Sequence, residues 1–187
     1  DSLNLNITEN HFDSKDISLA CDFFDMNVNG IINFNKLGNT FKNYVLKYFN
    51  IDKWSNKNVK LSDSEQDFYL NMTLKDTEIL SQLFMPKLNI ANSTSLTATF
   101  TSRNYQLYST LTSDYILFNG MKINNIYLKN KTSDDKTTAN ITIDEFVIKE
   151  PTDKNPLKLS LENLNFMLDV HSDSLLFNIA WDDDIEK

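Results

Sequence analysis

The chain has 187 residues, 41% of them apolar, and a formal net charge of −8 from 18 Lys plus Arg against 26 Asp plus Glu. That length suits one domain or one segment of a longer repetitive protein; the apolar share can fill a core, and the negative sign argues against nucleic acid as a partner. No apolar run approaches the roughly 18 to 20 residues of a membrane span, and the chain opens on Asp1, so it reads as a soluble piece of something larger.

Alternation of apolar and polar residues predicts a first strand through Leu3, Leu5 and Ile7 and a second through Ile17, Leu19, Cys21 and Phe23. A helix is expected over residues 40–49, where Phe41, Tyr44, Val45, Tyr48 and Phe49 fall at i, i+3, i+4, i+7 and i+8, with Asn39 or Thr40 as N-cap. It suits a plug packed on a sheet; the alternative is a membrane-surface helix, for which Lys42 and Lys47 make a thin basic face. Strand alternation resumes at Phe68, Leu70, Met72 and Leu74. A second short helix is expected over residues 76–85, from Asp76 as N-cap through Ile79, Leu80, Leu83 and Phe84 to a stop at Pro86. Further strands follow through Leu96, Ala98 and Phe100; Leu107, Ser109 and Leu111; Leu157, Leu159 and Leu161; and Leu175, Phe177, Ile179 and Trp181. About 40 to 50% strand is expected, above the usual base rate.

The second half contains a repeat. Met121, Ile123, Ile126 and Leu128 share a pattern with Ile141, Ile143, Phe146 and Ile148 and with Leu159, Leu161, Leu164 and Phe166, at spacings of 20 and 18 residues. In each copy the alternation slips by one residue at the same place: Asn124-Asn125, Asp144-Glu145 and Glu162-Asn163. A β-bulge would do this, bending long strands at a common height; a two-residue turn is the rival and fits Asp144-Glu145 poorly.

Chemistry-bearing groups are sparse. The glycines Gly30, Gly38 and Gly120 lie too far apart for a phosphate-cradling loop, and 25 Asn can supply left-handed turn positions instead. Lone Cys21 excludes an intrachain disulfide and a cysteine zinc cage. His171-Ser172-Asp173 cannot be a triad, because adjacent side chains of an extended chain diverge. Asp182-Asp183-Asp184 lacks the calcium-loop spacing and reads as a solvated acidic tail. Asn-x-Ser/Thr sequons at Asn6, Asn71, Asn92, Asn130 and Asn140 match the number that chance gives in so Asn-rich a chain. The expectation is therefore a protein that is not an enzyme and takes no cofactor and no metal, the competing class being a hydrolase whose carboxylates meet only in space.

Three stretches carry a family resemblance. They are Gly30-Ile31-Ile32-Asn33-Phe34-Asn35-Lys36-Leu37 with the helix after it, Met72 through Lys75-Asp76 to Leu83-Phe84-Met85-Pro86-Lys87-Leu88-Asn89-Ile90, and Phe118-Asn119-Gly120 to Leu128, echoed by Leu161-Glu162-Asn163-Leu164-Asn165-Phe166. Across residues 24–181 the chain resembles the TamB and AsmA superfamily of bacterial envelope proteins, in its Bacteroidetes form; it departs from that pattern in its few glycines and shows no recognisable counterpart of the family's C-terminal region. The resemblance implies a bent β-sheet groove, or β-taco, in a periplasmic, inner-membrane-anchored protein that passes phospholipid toward the outer membrane. It also implies a role in outer-membrane protein assembly beside an Omp85-family partner. No catalytic residue is carried over.

The whole of 1–187 is thus expected to be one segment of a larger repetitive β-groove protein, all-β with two short helices: a long curled antiparallel sheet or, as alternative, a closed β-sandwich that serves binding or adhesion with an exposed aromatic such as Trp54. The groove lining is expected to comprise Phe68, Leu70, Met72, Leu96, Phe100, Phe118, Ile123, Ile126, Leu128, Ile141, Ile143, Phe146, Leu159, Leu161, Leu164, Phe166, Leu168, Phe177, Ile179 and Trp181. Partial exposure of that lining is expected to let the fold survive Leu164→Asp or Ile126→Asp while the charge blocks passage; the closed sandwich instead requires Leu164→Asp to unfold the domain with outward Asn165→Asp silent, which would put Leu164 in a closed core.

Overall fold

The computed structural model describes residues 2–10, 13–48, 65–78, 81–82, 85–149, 159–171 and 174–182. In chain order the elements are β1 (Leu3–Glu9), β2 (Ser14–Cys21), β3 (Phe24–Ile31), α1 (Phe34–Tyr48), β4 (Asp67–Leu74), β5 (Leu88–Ile90), β6 (Ser95–Thr101), β7 (Gln106–Phe118), β8 (Met121–Thr132), β9 (Lys136–Lys149), β10 (Leu159–His171) and β11 (Leu175–Asp182). All strands join one antiparallel sheet in the order β1-β2-β3-β4-β6-β7-β8-β9-β10-β11, with β5 pairing the upper part of β7 that β6 leaves free. The sheet is not closed, and strand accounts for 68% of the described residues. β3 and the upper half of β7 are strands that have no reading in the alternation. At β3 the tight hairpin from Cys21 to Phe24 follows a run that looks continuous to Phe23.

Two positions depend on glycine, one inside β3 and one in a turn. Gly30 has φ +133°, and a Cβ there would strike the Asp67 carbonyl and approach the Phe68 Cα to 2.7 Å. Asn119 and Gly120, at φ +53° and +86°, form the two-residue turn between β7 and β8, as a type I′ hairpin requires.

The first helix starts at Phe34, six residues before the expected Thr40. Gln66 fixes its start: the Asn33 N–H donates to Gln66 Oε1 at 2.9 Å, and Gln66 Nε2 donates to the Asn33 carbonyl at 3.2 Å. Thr40 is therefore not a cap; it lies in mid-helix, its hydroxyl donating to the Lys36 carbonyl at 3.0 Å. Gly38, which looked like the break before the helix, sits within it at a modest cost in propensity. Phe49 lies outside the described residues, as do Trp54, Leu157 and His11. For the second helix, Asp76 caps as expected, accepting the Glu78 N–H at 3.0 Å, and helical bonds run from Ser81 to Thr77 and from Met85 to Ser81, each 2.9 Å. Its apolar positions Ile79, Leu80, Leu83 and Phe84 lie outside the described residues.

Helix α1 packs on the sheet, as a plug would. Tyr44, Tyr48, Phe100 and Val170 form a buried cluster, with Val45, Phe68, Tyr105, Leu107 and Leu168 against it. Phe100 is ringed by Phe41, Tyr44 and Phe68 at centroid distances of 5.9, 6.1 and 5.7 Å. The tyrosine hydroxyls tie the helix to the hairpin ends: Tyr44 Oη meets Thr132 Oγ1 at 3.1 Å, and Tyr48 Oη donates to the Ser133 and Tyr105 carbonyls at 2.8 and 3.2 Å. One row inward along the strands the side chains shrink to Ala98, Ser109, Asn130 and Ala139, which leaves room at the level of the helix.

Candidate functional site

Strand register stacks the inward side chains into rows that cross the sheet. One row is apolar in every strand it crosses: Leu5, Leu19, Met26, Met72, Leu96, Leu111, Leu128, Ile141, Phe166 and Ile179 are successive partners from β1 to β11. Above it come Ser113, Ile126, Ile143 and Leu164, and beyond these Ile116, Ile123, Phe146 and Leu161.

Between those last two rows each strand turns two consecutive residues outward, and this is where the sequence repeat slips. Asn125 and Asn163 take left-handed φ of +50° and +49°. The register of β8 on β9 and of β9 on β10 does not change through the slip; a shift appears there only between β10 and β11. The expected bulge holds at Glu162-Asn163, where β10 gains one residue over β11; at Asn124-Asn125 and Asp144-Glu145 it is corrected, because neighbouring long strands carry the irregularity together, so the sheet creases along a line across them. Amide–carboxylate bonds stitch the convex side of the crease. Asn124 donates to Glu145 at 2.8 Å, Asn125 to Asp144 at 2.9 Å and Asn163 to Asp182 at 2.8 Å. Asp182, expected in a solvated tail, ends β11 as part of this ladder.

On the concave side the crease forms a valley. Ile126, Ile143 and Leu164 are buried, and the residues packed on them, Leu111, Ile116, Ile123, Ile141, Phe146, Leu161 and Phe166, all come from β7 to β10. Among the described residues, the side chains that bury them come from this one sheet.

Register and alternation put nineteen of the twenty expected lining residues on this inward face, in different settings, while Leu159 pairs with Lys149 beyond a register shift. Leu70, Leu168 and Phe177 share the row with the small side chains; Met72, Leu96, Leu128, Ile141, Phe166 and Ile179 belong to the all-apolar row. Ile126, Ile143 and Leu164 line one side of the valley and Ile123, Phe146 and Leu161 the other. Phe118 and Leu159 stand exposed at the upper rim, and Trp181 is exposed at the end of β11. Phe68 and Phe100 are corrected: they lie beneath α1, and Phe100 is only 1% exposed. Leu164 and Ile126 are also corrected, at 4% and 8% exposed, because the valley floor is crowded by its own walls; a charge there must destabilise the fold. Leu5, Leu19, Met26, Leu111 and Ile116 complete the rows and were not foreseen as lining, though Leu5, Leu19 and Leu111 stand in legible alternation.

The helix supplies the site's charge. Lys36, Lys42 and Lys47 are its only ionisable groups besides tyrosines, so α1 is cationic in an acidic chain. Lys47 is engaged, donating to the Asn104 carbonyl at 2.7 Å with its ammonium 5.0 Å from the Tyr48 ring. Burial, with neighbouring Tyr44 and Asp134 adding to it, pushes the Tyr48 hydroxyl up to about 12. Among the described residues no group of three or more His, Cys, Asp or Glu is placed to hold a metal, and no helix is long and apolar enough to cross a membrane. His171 closes the β10–β11 hairpin through its backbone, donating to the Ser174 carbonyl at 2.8 Å.

Comparison with family models, with curated proteins and with solved structures finds no match.

Proposed function

We propose that the concave valley binds phospholipid acyl chains, and that the chain is a segment of a TamB- or AsmA-like conduit carrying lipid across the periplasm between inner and outer membrane, without catalysis. The observation that supports this reading is the valley itself. It is apolar in consecutive rows over β8 to β10, its cluster draws on no second layer among the described residues, and apolar surface on that scale rarely goes without a partner. An acyl chain laid along it gains roughly 0.8 kcal/mol per buried methylene and meets no charged side chain in the rows that flank the crease. Uniform, weak contact of that kind suits movement along a groove better than capture at one point. The sequence resemblance supplies the envelope setting and the Omp85-family partner, which stand with it as proposals.

The test is native mass spectrometry of the purified protein, followed by uptake of a fluorescent phospholipid from vesicles. Co-purified phospholipid, or saturable uptake, is the expected result. Protein that emerges lipid-free and takes up none would overturn the reading.

A further inference from the structure

The sheet ends on two bare edges. Among the described residues β1 and β11 each pair on one side only, and their inward side chains, Leu3, Leu5 and Ile7 on one and Phe177, Ile179 and Trp181 on the other, are 41 to 70% exposed. Outer strands ordinarily carry lysine, proline or a bulge that turns added strands away. These two carry no lysine and no proline, and the register of β1 on β2 is unbroken. Their backbones are placed to pair. The Asn10 N–H donates to the Ser14 carbonyl and the His171 N–H to the Ser174 carbonyl, both at 2.8 Å, which fixes the hydrogen-bonding phase of each hairpin. Leu3, Leu5 and Ile7, and likewise Phe177, Ile179 and Trp181, therefore turn their N–H and C=O groups to the free side.

The two edges fit one another. Ten strands alternate in direction from β1 to β11, so a second copy set beside the first in the same orientation presents its β1 antiparallel to β11. The all-apolar row sets the register: Ile179 meets Leu5 of the second copy, which places Phe177 against Ile7 and Trp181 against Leu3. Outward, Asn178 meets Asn6. The ionisable groups of the two strands, Glu9 and Asp182, fall opposite Leu175 and Ser2, so no like charges oppose. Closure within one chain fails on the same register, since Leu5 would meet Ile179 without the stagger that a barrel needs, and the sheet is not closed. Pairing β11 with another β11 opposes Phe177 to Trp181, which brings the helix level of one sheet to the crease of the next and leaves β1 bare.

From this geometry we infer that β11 adds to β1 of a second copy of the chain, head to tail, so that the apolar rows run on from one molecule into the next. The inference needs only the sheet and holds whether or not the groove carries lipid. Such a contact does not close on itself, so it builds a series of oligomers rather than one dimer.

The experiment combines sedimentation velocity of the full chain, free of lipid, with disulfide trapping. The wild-type protein should form a concentration-dependent series of oligomers. Leu5→Lys, at a side chain 59% exposed, sets a charge against Ile179 and should raise the concentration needed for association by about tenfold with the melting temperature unchanged. In a Cys21→Ser background, Asn6→Cys mixed with Asn178→Cys should give a disulfide-linked dimer on mild oxidation, while either alone, or Asn4→Cys mixed with Asn178→Cys, should give little. A monomer at every concentration, association unmoved by Leu5→Lys, a linked dimer from Asn6→Cys or Asn178→Cys alone, or oligomers that yield no linkage between positions 6 and 178 would each overturn the inference.

Discussion

Among the described residues the molecule holds two apolar clusters, built from opposite solutions to the same problem. At the hairpin ends, Tyr44, Tyr48, Phe100 and Val170 are sealed by a helix, and their polar atoms are paired with Thr132, Ser133 and Tyr105. At the crease, the Ile126, Ile143 and Leu164 side chains are aliphatic, carry no polar atoms to satisfy, and among the described residues are sheltered by the walls of their own sheet. The first cluster needs a specific partner and has it within the chain. The second asks only for apolar volume, which is the requirement an acyl chain meets. The strand lengths follow the same division: β1 to β6 have eight residues at most, while β7 to β10 have at least 12 and are long enough to bend.

The comparison can be broken most severely at its buried points. Leu164→Asp should cost several kcal/mol and unfold the domain, because the valley floor offers the carboxylate neither water nor a partner; circular dichroism at 25 °C should lose its strand signal, while outward Asn165→Asp stays native. Phe100→Ala should cost about 3 to 5 kcal/mol, as a fully packed aromatic does. Phe166→Ala, half-buried on the valley wall, should cost about 1 to 2 kcal/mol on the same transfer scale and reduce lipid uptake. Equal denaturation midpoints for the two phenylalanine variants would show that the clusters do not differ in cover.

A gentler probe titrates the seal. The folded state holds Tyr48 neutral to about 12, against 10.0 for the free side chain. Its contribution is therefore intact below pH 10 and is lost as pH rises from there through about 12, a change on the order of 2 kcal/mol. Alkaline unfolding should begin in that window, and Tyr48→Phe should remove the part of the slope that Tyr48 contributes while costing about 1 to 2 kcal/mol at neutral pH through its lost hydrogen bonds. Smallest of all, Asn163→Ala should cost about 1 kcal/mol, from an alanine forced into left-handed φ and the lost bond to Asp182. Asn163→Gly should recover most of it in urea denaturation, and an alanine as stable as wild type would mean that the crease does not depend on its Asn ladder.

Much of this was legible in the sequence. Period-two alternation marks a strand wherever one face is apolar, which is why Leu96, Leu128, Phe166 and Ile179 could be assigned an inward side before any register was known. The slips at Asn124-Asn125 and Glu162-Asn163 located the crease to the residue. Pairing is a different kind of information: that Asn125 meets Asp144 and Asn163 meets Asp182 depends on which strands are neighbours, and a single strand's pattern cannot hold it. The start of α1 was missed for a related reason, since its anchor, Gln66, lies 33 residues away from Asn33. Phe68 and Phe100 alternate like any lining residue, and nothing local distinguishes an apolar side chain under a helix from one facing a groove.

The central claim is that the valley is open to a lipid and the helix-covered cluster is not. Photocrosslinking with a phospholipid bearing a diazirine in its acyl chain, followed by peptide mapping, tests it directly. Adducts are predicted on Leu128, Ile141 and Phe166 and their row neighbours, with none on Phe100 or Tyr48. Adducts on outward residues such as Tyr127 and Asn165, or on Phe100 beneath α1, would contradict it.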